Sequence, residues 1–257
     1  MKHPLRTLLL AVCCGLAAAC TQRQERLKLM SYNIRNGIGI DNIQDIGRIA
    51  RVILREAPDL VALQELDSAT LRVDGRYIPG ELGRMTGMHA TFGRAIGFAG
   101  GSYGIGLLSR TEPLAVRSIP LPGREEARVL LMAEFPDYTV CITHLSLTPE
   151  DRLASLPIIR EATDTCRKPV LLAGDFNTGN AAAVLAGLGG GFRILSDPTR
   201  MTFPSDNPAV RIDYILGRGL PTSATVAESA VDHTATASDH CPLWVTLVWK
   251  RGKQPGK

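Results

Sequence analysis

The residues best suited to chemistry follow a short apolar run in the middle of the chain. Residues 170–173 are all apolar, and Asp175 and Asn177 follow within four positions. A short continuous apolar run predicts a strand that is buried on both faces. Gly174 would let the backbone turn there, so that both polar residues stand at the carboxyl edge, where open α/β sheets bind ligands. The alternative is an ordinary turn, which Asp and Asn also favour.

Other polar residues stand beside strand-like apolar runs elsewhere in the chain. Each has an ordinary explanation, such as a turn cap, a solvated strand end, a core histidine or an ion pair. As a set they fit chance poorly, because carboxylates in apolar surroundings are costly unless they meet a metal ion or a partner. The set therefore predicts a site that meets a metal ion or another charged partner. Its members are Asn33, Glu65, His144, Asp213, Asp239 and His240.

The elements that would position these residues alternate between strand and helix early in the chain. Residues 27–34 alternate as a strand, residues 46–54 repeat apolar positions at helical spacing, and residues 59–65 form a second buried strand. This order is typical of an α/β unit, and the more consecutive strands that follow indicate two mixed sheets with helices outside. Later strands are predicted at 130–135, 138–143, 211–216 and 243–249, helices at 81–85, 151–166 and 181–188, and turns over 97–106.

Composition indicates one soluble globular domain without a strong affinity for polyanions. The chain has 257 residues, of which 45% are hydrophobic, 21% charged and 5% aromatic, and its net charge is +4. This balance gives little electrostatic attraction for long nucleic acid and few stacking platforms, which weakens a nuclease hypothesis without excluding it. Cys141, Cys166 and Cys241 show neither metal-site spacing nor the even count of a disulfide framework.

The amino terminus predicts export. Lys2, His3 and Arg6 precede an apolar run over residues 8–19, which is too short to span a bilayer but fits the core of a secretory signal. We therefore expect a signal peptide over residues 1–19. Two alternatives stay open: ordinary cleavage releases a secreted protein, whereas lipidation of Cys20 makes an envelope lipoprotein whose only membrane contact is that anchor.

The chemistry-bearing motifs resemble the endonuclease/exonuclease/phosphatase superfamily, which includes pancreatic-type deoxyribonucleases, abasic-site endonucleases, neutral sphingomyelinases and inositol-phosphate phosphatases. The resemblance implies one domain over residues 27–250, folded as a four-layer α/β sandwich with two mixed β-sheets packed face to face and helices outside. It also implies phosphoester cleavage that depends on Mg²⁺, with Mn²⁺ as an alternative cation. The motifs, in the family's order, are Met30 to Arg35, Leu63-Gln64-Glu65, Tyr103-Gly104, Thr143-His144-Leu145, Gly174 to Asn177, Ile212 to Ile215 and Ser238-Asp239-His240.

The resemblance assigns the metal ligands and the central acid–base pair. Glu65 would bind the cation, Asn33 would support it, and Asp239 would be a third ligand, directly or through water; oxygen ligands of this kind suit Mg²⁺. His240 would be the general base, or the acid in the reverse assignment, because imidazole titrates nearest neutrality. Asp213 would orient His240 and stabilise its charged form.

Four further residues complete the expected site. Asp175 would position or deprotonate the attacking water, and the Asn177 amide would donate to a phosphoryl oxygen. His144 matches a second histidine of deoxyribonuclease-like and sphingomyelinase-like members, and would contact phosphate or protonate the leaving group. Tyr103 would donate another hydrogen bond to phosphate, or else pack as a turn tyrosine against its neighbouring glycines.

Two features separate the chain from the abasic-site endonucleases. Those enzymes carry an acidic residue where this sequence has Arg35, and they lack a counterpart of His144. The leading hypothesis is therefore an exported Mg²⁺-dependent phosphodiesterase or phosphatase. The alternatives are an extracellular endonuclease acting on DNA or RNA, and a non-catalytic surface-binding protein. The substrate itself is expected to be selected by the loops at 72–80, 92–102 and 199–208.

Overall fold

Two six-stranded sheets form the centre of the protein. A computed structural model describes residues 24–250, so the predicted signal peptide over residues 1–19 and the lipidation of Cys20 lie outside the described residues. The strands are β1 (Gln24–Asn33), β2 (Leu60–Ser68), β3 (His89–Phe98), β4 (Gly101–Ser109), β5 (Ala115–Leu121), β6 (Arg128–Glu134), β7 (Thr139–His144), β8 (Val170–Asp175), β9 (Arg193–Ile194), β10 (Asp213–Arg218), β11 (Thr225–Val231) and β12 (Leu243–Lys250). The helices are α1 (Ile46–Glu56), α2 (Ile78–Thr86), α3 (Pro149–Asp164) and α4 (Ala181–Leu188).

The sheets are mixed, as predicted. One has the order β11-β12-β1-β2-β4-β3 and the other β5-β6-β7-β8-β10-β9. β1 pairs with β2 and β7 pairs with β8 in parallel, whereas the other strand pairs are antiparallel. Among residues 24–250, no helix has the length and apolarity needed to cross a membrane.

The apolar core consists of three clusters of side chains. Each cluster lies between two neighbouring layers of a four-layer α/β sandwich, in which two sheets are covered by helices on their outer faces. Between the sheets, side chains such as Leu29 and Leu131 pack from opposite faces. Helices α1 and α2 cover the outer face of the first sheet, and α3 and α4 cover that of the second. The predicted fold class is therefore confirmed.

The glycine-rich segment over residues 97–106 was wrongly predicted as turns. It belongs to a β-hairpin in which β3 and β4 are joined through Ala99 and Gly100. A Cβ atom at Gly104 would lie 2.1 Å from the carbonyl oxygen of Gly93, so this strand pair needs glycine for its close approach. Glycine at this position therefore indicates two closely paired strands and not a turn.

Edge strands β5 and β11 were missed for a different reason. Most of their residues are exposed or half-buried, and each strand pairs on one side only. Without a buried face, an edge strand has no alternating apolar pattern in its sequence.

Gly174 also differs from its prediction. It lies inside β8 and pairs with Thr143 of β7, so it makes no turn at the strand end. Its φ is 155°, and a Cβ atom there would lie 2.0 Å from the Thr143 carbonyl oxygen. Glycine at this position therefore lets β7 and β8 approach closely, which places His144 next to Asp175 in the register of the two strands.

Candidate active site

The predicted site residues lie at one edge of the two sheets. Asn33, His144 and Asp175 are the last residues of β1, β7 and β8. Asp213 was expected inside a strand over 211–216, but it opens β10. Because β10 runs antiparallel to β8, Asp213 pairs directly with Asp175 and reaches the same edge. The remaining members are Glu65 in β2, Tyr103 in β4, Asn177 after β8, and Asp239 and His240 before β12.

A bulge in β2 places Glu65. Pairing between β2 and β4 shifts register between Leu63 and Leu66, and Glu65 within this bulge has a φ of 58°. A non-glycine residue in the left-handed region inside a strand stores local strain, which is typical of functional positions. Burial raises the pKa of the Glu65 carboxyl, and the nearby carboxylates of Asp239 and Asp175 raise it further.

The Asn33 amide joins carboxylates that come from both sheets. Its Nδ2 donates to Glu65 Oε1 at 3.1 Å and to Asp175 Oδ2 at 3.1 Å, while its Oδ1 accepts the Arg35 backbone N–H at 3.1 Å. Asn33 is fully buried, so these contacts are not exchanged with solvent. In this arrangement the amide orients the two carboxylates, and its role as a metal ligand stays a prediction.

His240 and Asp213 form a buried ion pair. The imidazole Nδ1 lies 2.9 Å from Asp213 Oδ2, and the ring packs against Phe203 at a centroid distance of 4.8 Å. Burial lowers the pKa of His240, but the carboxylates of Asp213, Asp175 and Asp239 outweigh it and raise that pKa to about 10. At neutral pH the ring is therefore an imidazolium, with both nitrogens as hydrogen-bond donors.

Asp175 is the central carboxylate of the site. Its Oδ1 accepts the Asn177 backbone N–H at 2.8 Å, and its Oδ2 lies 3.5 Å from His144 Nε2 and 3.7 Å from His240 Nε2. Burial raises the pKa of Asp175, and the adjacent Asp213 carboxylate raises it further. A carboxylate with a raised pKa is a better proton acceptor than an ordinary one.

His144 differs from His240 in its charge. Burial lowers its pKa to about 4, and the charges of Arg128 and His240 act in the same direction against the attraction of Asp175. The ring is therefore neutral at physiological pH. Two histidines beside one carboxylate are thus held in opposite protonation states, an arrangement that separates the roles of acid–base groups.

Asn177 and Tyr103 flank this centre. Asn177 has a φ of 50°, and its Nδ2 donates to the Leu145 carbonyl at 2.8 Å, which fixes the amide next to the segment that follows His144. Tyr103 is buried in β4, and burial together with the charge of Glu65 raises the pKa of its hydroxyl. Both side chains can donate a hydrogen bond, and their contacts with phosphate stay predictions.

Sequence reasoning missed Glu125, which holds the loop after His144. Its carboxylate accepts hydrogen bonds from Ser146 Oγ at 2.7 Å, from the Leu147 N–H at 2.7 Å and from Thr148 Oγ1 at 3.1 Å. Although burial acts in the opposite direction, these donors and Arg128 lower the pKa of Glu125 to about 2. The only sequence signal was a run of charges before an apolar strand, which usually marks a solvated loop.

We expect Glu125→Gln to lower the free energy of unfolding by about 1–2 kcal/mol at pH 7, because it removes a carboxylate that the fold stabilises. This figure is smaller than the full pKa shift implies, because the carboxylate is partly exposed and solvent screens its charge. The pKa of Glu125 falls from an ordinary 4.5 to about 2 on folding. Its contribution is therefore complete above pH 4.5 and is lost as pH falls towards 2. Urea unfolding of both proteins between pH 2 and 7 measures the difference, and a difference that does not shrink in acid contradicts this account.

Two groups of side chains offer ligand atoms to a cation. Asp175, Asp213 and His240 place ligand atoms within 4.8 Å of one another. A protonated imidazole cannot ligate a metal, however, and the His240 Nδ1 is already engaged with Asp213. Glu65 and Asp239 are the better fit, because their mutual repulsion is the kind that a divalent cation relieves.

Comparison with known proteins relates most of the described region to one family. A model of the "Endonuclease/Exonuclease/phosphatase family" matches residues 30–240. A search of curated proteins finds no significant match. The matched range begins and ends within the predicted motifs, since it includes Asn33 near its start and His240 as its last residue.

Solved structures from this family share the fold at low sequence identity. An endonuclease/exonuclease/phosphatase from Beutenbergia cavernae is 23% identical with a TM-score of 0.68, over 88% of this chain and 72% of that one. A mannosyl-6-phosphatase from Bacteroides thetaiotaomicron is 19% identical with a TM-score of 0.68, over 86% and 99%. TDP2 from D. rerio, complexed with a single-strand DNA product, is 22% identical with a TM-score of 0.65, over 86% and 98%.

Proposed function

The chain belongs to the endonuclease/exonuclease/phosphatase family, whose members hydrolyse phosphoester bonds, and we propose that it is an exported, Mg²⁺-dependent phosphoesterase. The observation that carries this proposal is the continuous set of contacts around Asp175. Asn33 links it to Glu65, and Asp213 and His240 lie beside it. One phosphate in this edge would meet acidic ligands, a cationic donor and a proton acceptor together.

Glu65 and Asp239 are the residues that would hold the cation, with Asn33 orienting Glu65. When bound, Mg²⁺ would neutralise phosphate charge and polarise the phosphoryl group. Mg²⁺ prefers oxygen ligands and keeps several bound water molecules, so it suits two carboxylates at the open edge of the sheets. Mn²⁺ is an alternative with the same ligand preference. The Arg35 guanidinium lies 3.6 Å from Asp239 Oδ2, so this carboxylate would face both the arginine and the bound cation.

The protonation states favour one assignment of the acid and base roles. The His240 imidazolium would donate to the phosphoryl oxygens and stabilise the charge that develops on them. Asp175, with its raised pKa, would position the attacking water and accept its proton. Neutral His144 and the amide of Asn177 would contact the phosphate or the leaving group without adding charge. The water oxygen then bonds to phosphorus and the bond from phosphorus to the ester oxygen breaks. The departing alkoxide takes a proton from bulk water and leaves as the alcohol, and Asp175 returns the proton it accepted to solvent.

Two relatives support different substrate types within this proposal. The mannosyl-6-phosphatase favours a phosphomonoester, and the TDP2 complex with a DNA product favours a nucleic acid. Around the site, however, Arg35, Arg72 and Arg128 each face a carboxylate, at 3.6, 2.8 and 3.3 Å. Paired arginines offer little net charge to a polyanion, so we place a nuclease second. A purely binding role without catalysis has no observation in its favour.

A substrate panel tests the proposed function. Purified protein is assayed on p-nitrophenyl phosphate, bis-p-nitrophenyl phosphate, sphingomyelin, plasmid DNA and RNA, with Mg²⁺, with Mn²⁺ and with excess chelator. Hydrolysis of a small phosphoester that chelator abolishes supports the proposal. Cleavage of nucleic acid alone would favour the nuclease, and activity that persists in chelator would exclude the metal-dependent mechanism.

We further propose export with lipidation of Cys20, because a small residue precedes this cysteine directly after the apolar run. We expect the wild type to incorporate radiolabelled palmitate and to fractionate with membranes. Cys20→Ser should lose the label and be released in soluble form. A wild-type chain that is exported but unlabelled would identify a secreted protein instead, and retention in the cytoplasm would contradict export.

A further inference from the structure

A partly exposed apolar surface lies next to the proposed phosphate site. Leu71 is 77% exposed and Phe98 is 40% exposed. Leu71 lies in the segment that follows β2, and Phe98 is the last residue of β3. The two segments are joined by a hydrogen bond from the Leu71 N–H to the carbonyl of Ala99, the residue after Phe98, at 2.8 Å. Exposed apolar side chains are common singly, but contiguous ones beside a polar cleft mark binding surfaces.

Arg72 makes this surface continuous with the site. Its guanidinium carbon lies 4.6 Å from the Phe98 ring centroid and 5.0 Å from that of Tyr103. Its Nε donates to Asp67 at 2.8 Å, and its Nη2 donates to Asn36 Oδ1 at 2.6 Å. The arginine is thus fixed in orientation and its charge is neutralised by a fully buried carboxylate, so its flat face and carbon stem act as part of the apolar surface.

The same edge carries other exposed apolar residues. Their loops follow β1 and β7 or precede β10, and these are the strand ends that carry Asn33, His144 and Asp213. The loops that adjoin these strand ends therefore carry exposed apolar side chains, which gain nothing from a sugar or a polyanion. These residues are Ile40, Ile43, Leu147 and Val210.

We propose that Leu71, Arg72 and Phe98, which we call the apolar rim, bind an apolar group esterified to the phosphate of the substrate. This inference rests on the proposed phosphoesterase function and adds a substrate class: phosphodiesters that carry an alkyl chain. The phosphate would occupy the centre at Asp175 and His240, and the chain would leave it past Tyr103 to lie on the rim. An amphiphilic ester matches this arrangement, because its charged phosphate would meet the polar centre and its alkyl chain would meet the apolar rim next to it.

The test uses methyl and hexyl esters of p-nitrophenyl phosphate. Water attacks phosphorus, the bond to p-nitrophenolate breaks, and the alkyl phosphate monoester is the second product, so one absorbance measures both reactions. Full burial of a methylene is worth about fourfold and half burial about twofold, so the five added methylenes should raise kcat/KM by roughly thirtyfold. Calorimetry with methyl phosphate and hexyl phosphate measures the same preference without turnover.

The decisive variant is the double substitution Leu71→Ser and Phe98→Ser, in which the hexyl-to-methyl ratio of kcat/KM should fall to within about threefold of unity. The matched control is Leu54→Ser with Leu114→Ser, two residues 52% and 65% exposed away from this edge, which should keep the wild-type ratio. Equal rates on both esters in the wild type, or an unchanged ratio in the rim variant, would overturn the inference while leaving the phosphoesterase in place.

Two further outcomes separate the inference from its alternatives. If neither ester is hydrolysed but hexyl phosphate binds more tightly than methyl phosphate only when the rim is intact, the rim is supported and the proposed function fails. If the rim variant loses binding to phosphatidylcholine vesicles without any effect of chain length on the esters, the surface docks on membranes and the substrate assignment is wrong.

Discussion

Replacing Asp213 by Asn is expected to lower kcat/KM by about 10³-fold on any phosphoester that the wild type hydrolyses. The Asp213 carboxylate accepts a hydrogen bond from His240 Nδ1 at 2.9 Å and is the largest of the influences that raise the pKa of this histidine against its burial. An asparagine has the same shape, but it cannot stabilise an imidazolium in a buried position. The variant should therefore fold and bind substrate while lacking the cationic donor.

The substitution should also change the pH at which His240 loses its proton, and the direction of that change can be predicted. With a pKa of about 10 for His240, the protonated form is complete below pH 9, and on the alkaline side kcat/KM should fall as pH rises through 10. On the acid side kcat/KM should fall as Asp175, whose pKa burial raises, becomes protonated. In Asp213→Asn the strongest influence opposing burial is removed, so the loss of the His240 proton should move to lower pH. Rate–pH profiles and NMR titration of the His240 ring in metal-free protein measure the shift.

The matched control is Asp164→Asn, which removes an exposed carboxylate that pairs with Arg218 at the end of α3. It should retain wild-type activity and the same pH profile. An Asp213→Asn enzyme that keeps full activity, or one that loses activity while its His240 still titrates near pH 10, would show that this ion pair does not supply the cationic hydrogen-bond donor to phosphate.

The strand-end chemistry could be predicted because it depends on local sequence. The continuous apolar run of β8 followed by Asp175 specifies a buried strand that ends in a carboxylate, and β1 and β7 end in Asn33 and His144 in the same way. Parallel pairing of β7 with β8 then brings two of these ends together, and this follows from the α/β pattern. The layered fold follows from the same periodicities.

The features that the sequence did not predict depend on partners distant along the chain. The bulge at Glu65 arises from its pairing with β4, and the strained φ leaves no signature in residue type. The donor role of the Asn33 amide depends on carboxylates 32 and 142 residues away. Glu125 holds the His144 loop across 21 to 23 residues, and a charged loop residue with such a role looks the same in sequence as a solvated one.

Replacing Glu65 by Gln is expected to have an effect of similar size with a different cause. We expect kcat/KM to fall by about 10³-fold and the affinity for Mg²⁺ to fall at least tenfold. Burial and the neighbouring Asp239 and Asp175 raise the pKa of this carboxyl, so its charge is unfavourable until a cation compensates it. In excess chelator, Glu65→Gln should therefore melt at the same temperature as the wild type or at a higher one.

Thermal unfolding with and without Mg²⁺ separates the loss of a ligand from the loss of the fold. Ligand binding to the native state should raise the melting temperature of the wild type as Mg²⁺ is added, and Glu65→Gln should lose this rise. The exposed Glu161→Gln serves as the control and should keep it. A rise that survives in Glu65→Gln but disappears in Asp175→Asn would move the cation to the buried group of Asp175, Asp213 and His240. His240 would then have to be neutral when the metal is bound, and the imidazolium could not act as the donor to phosphate.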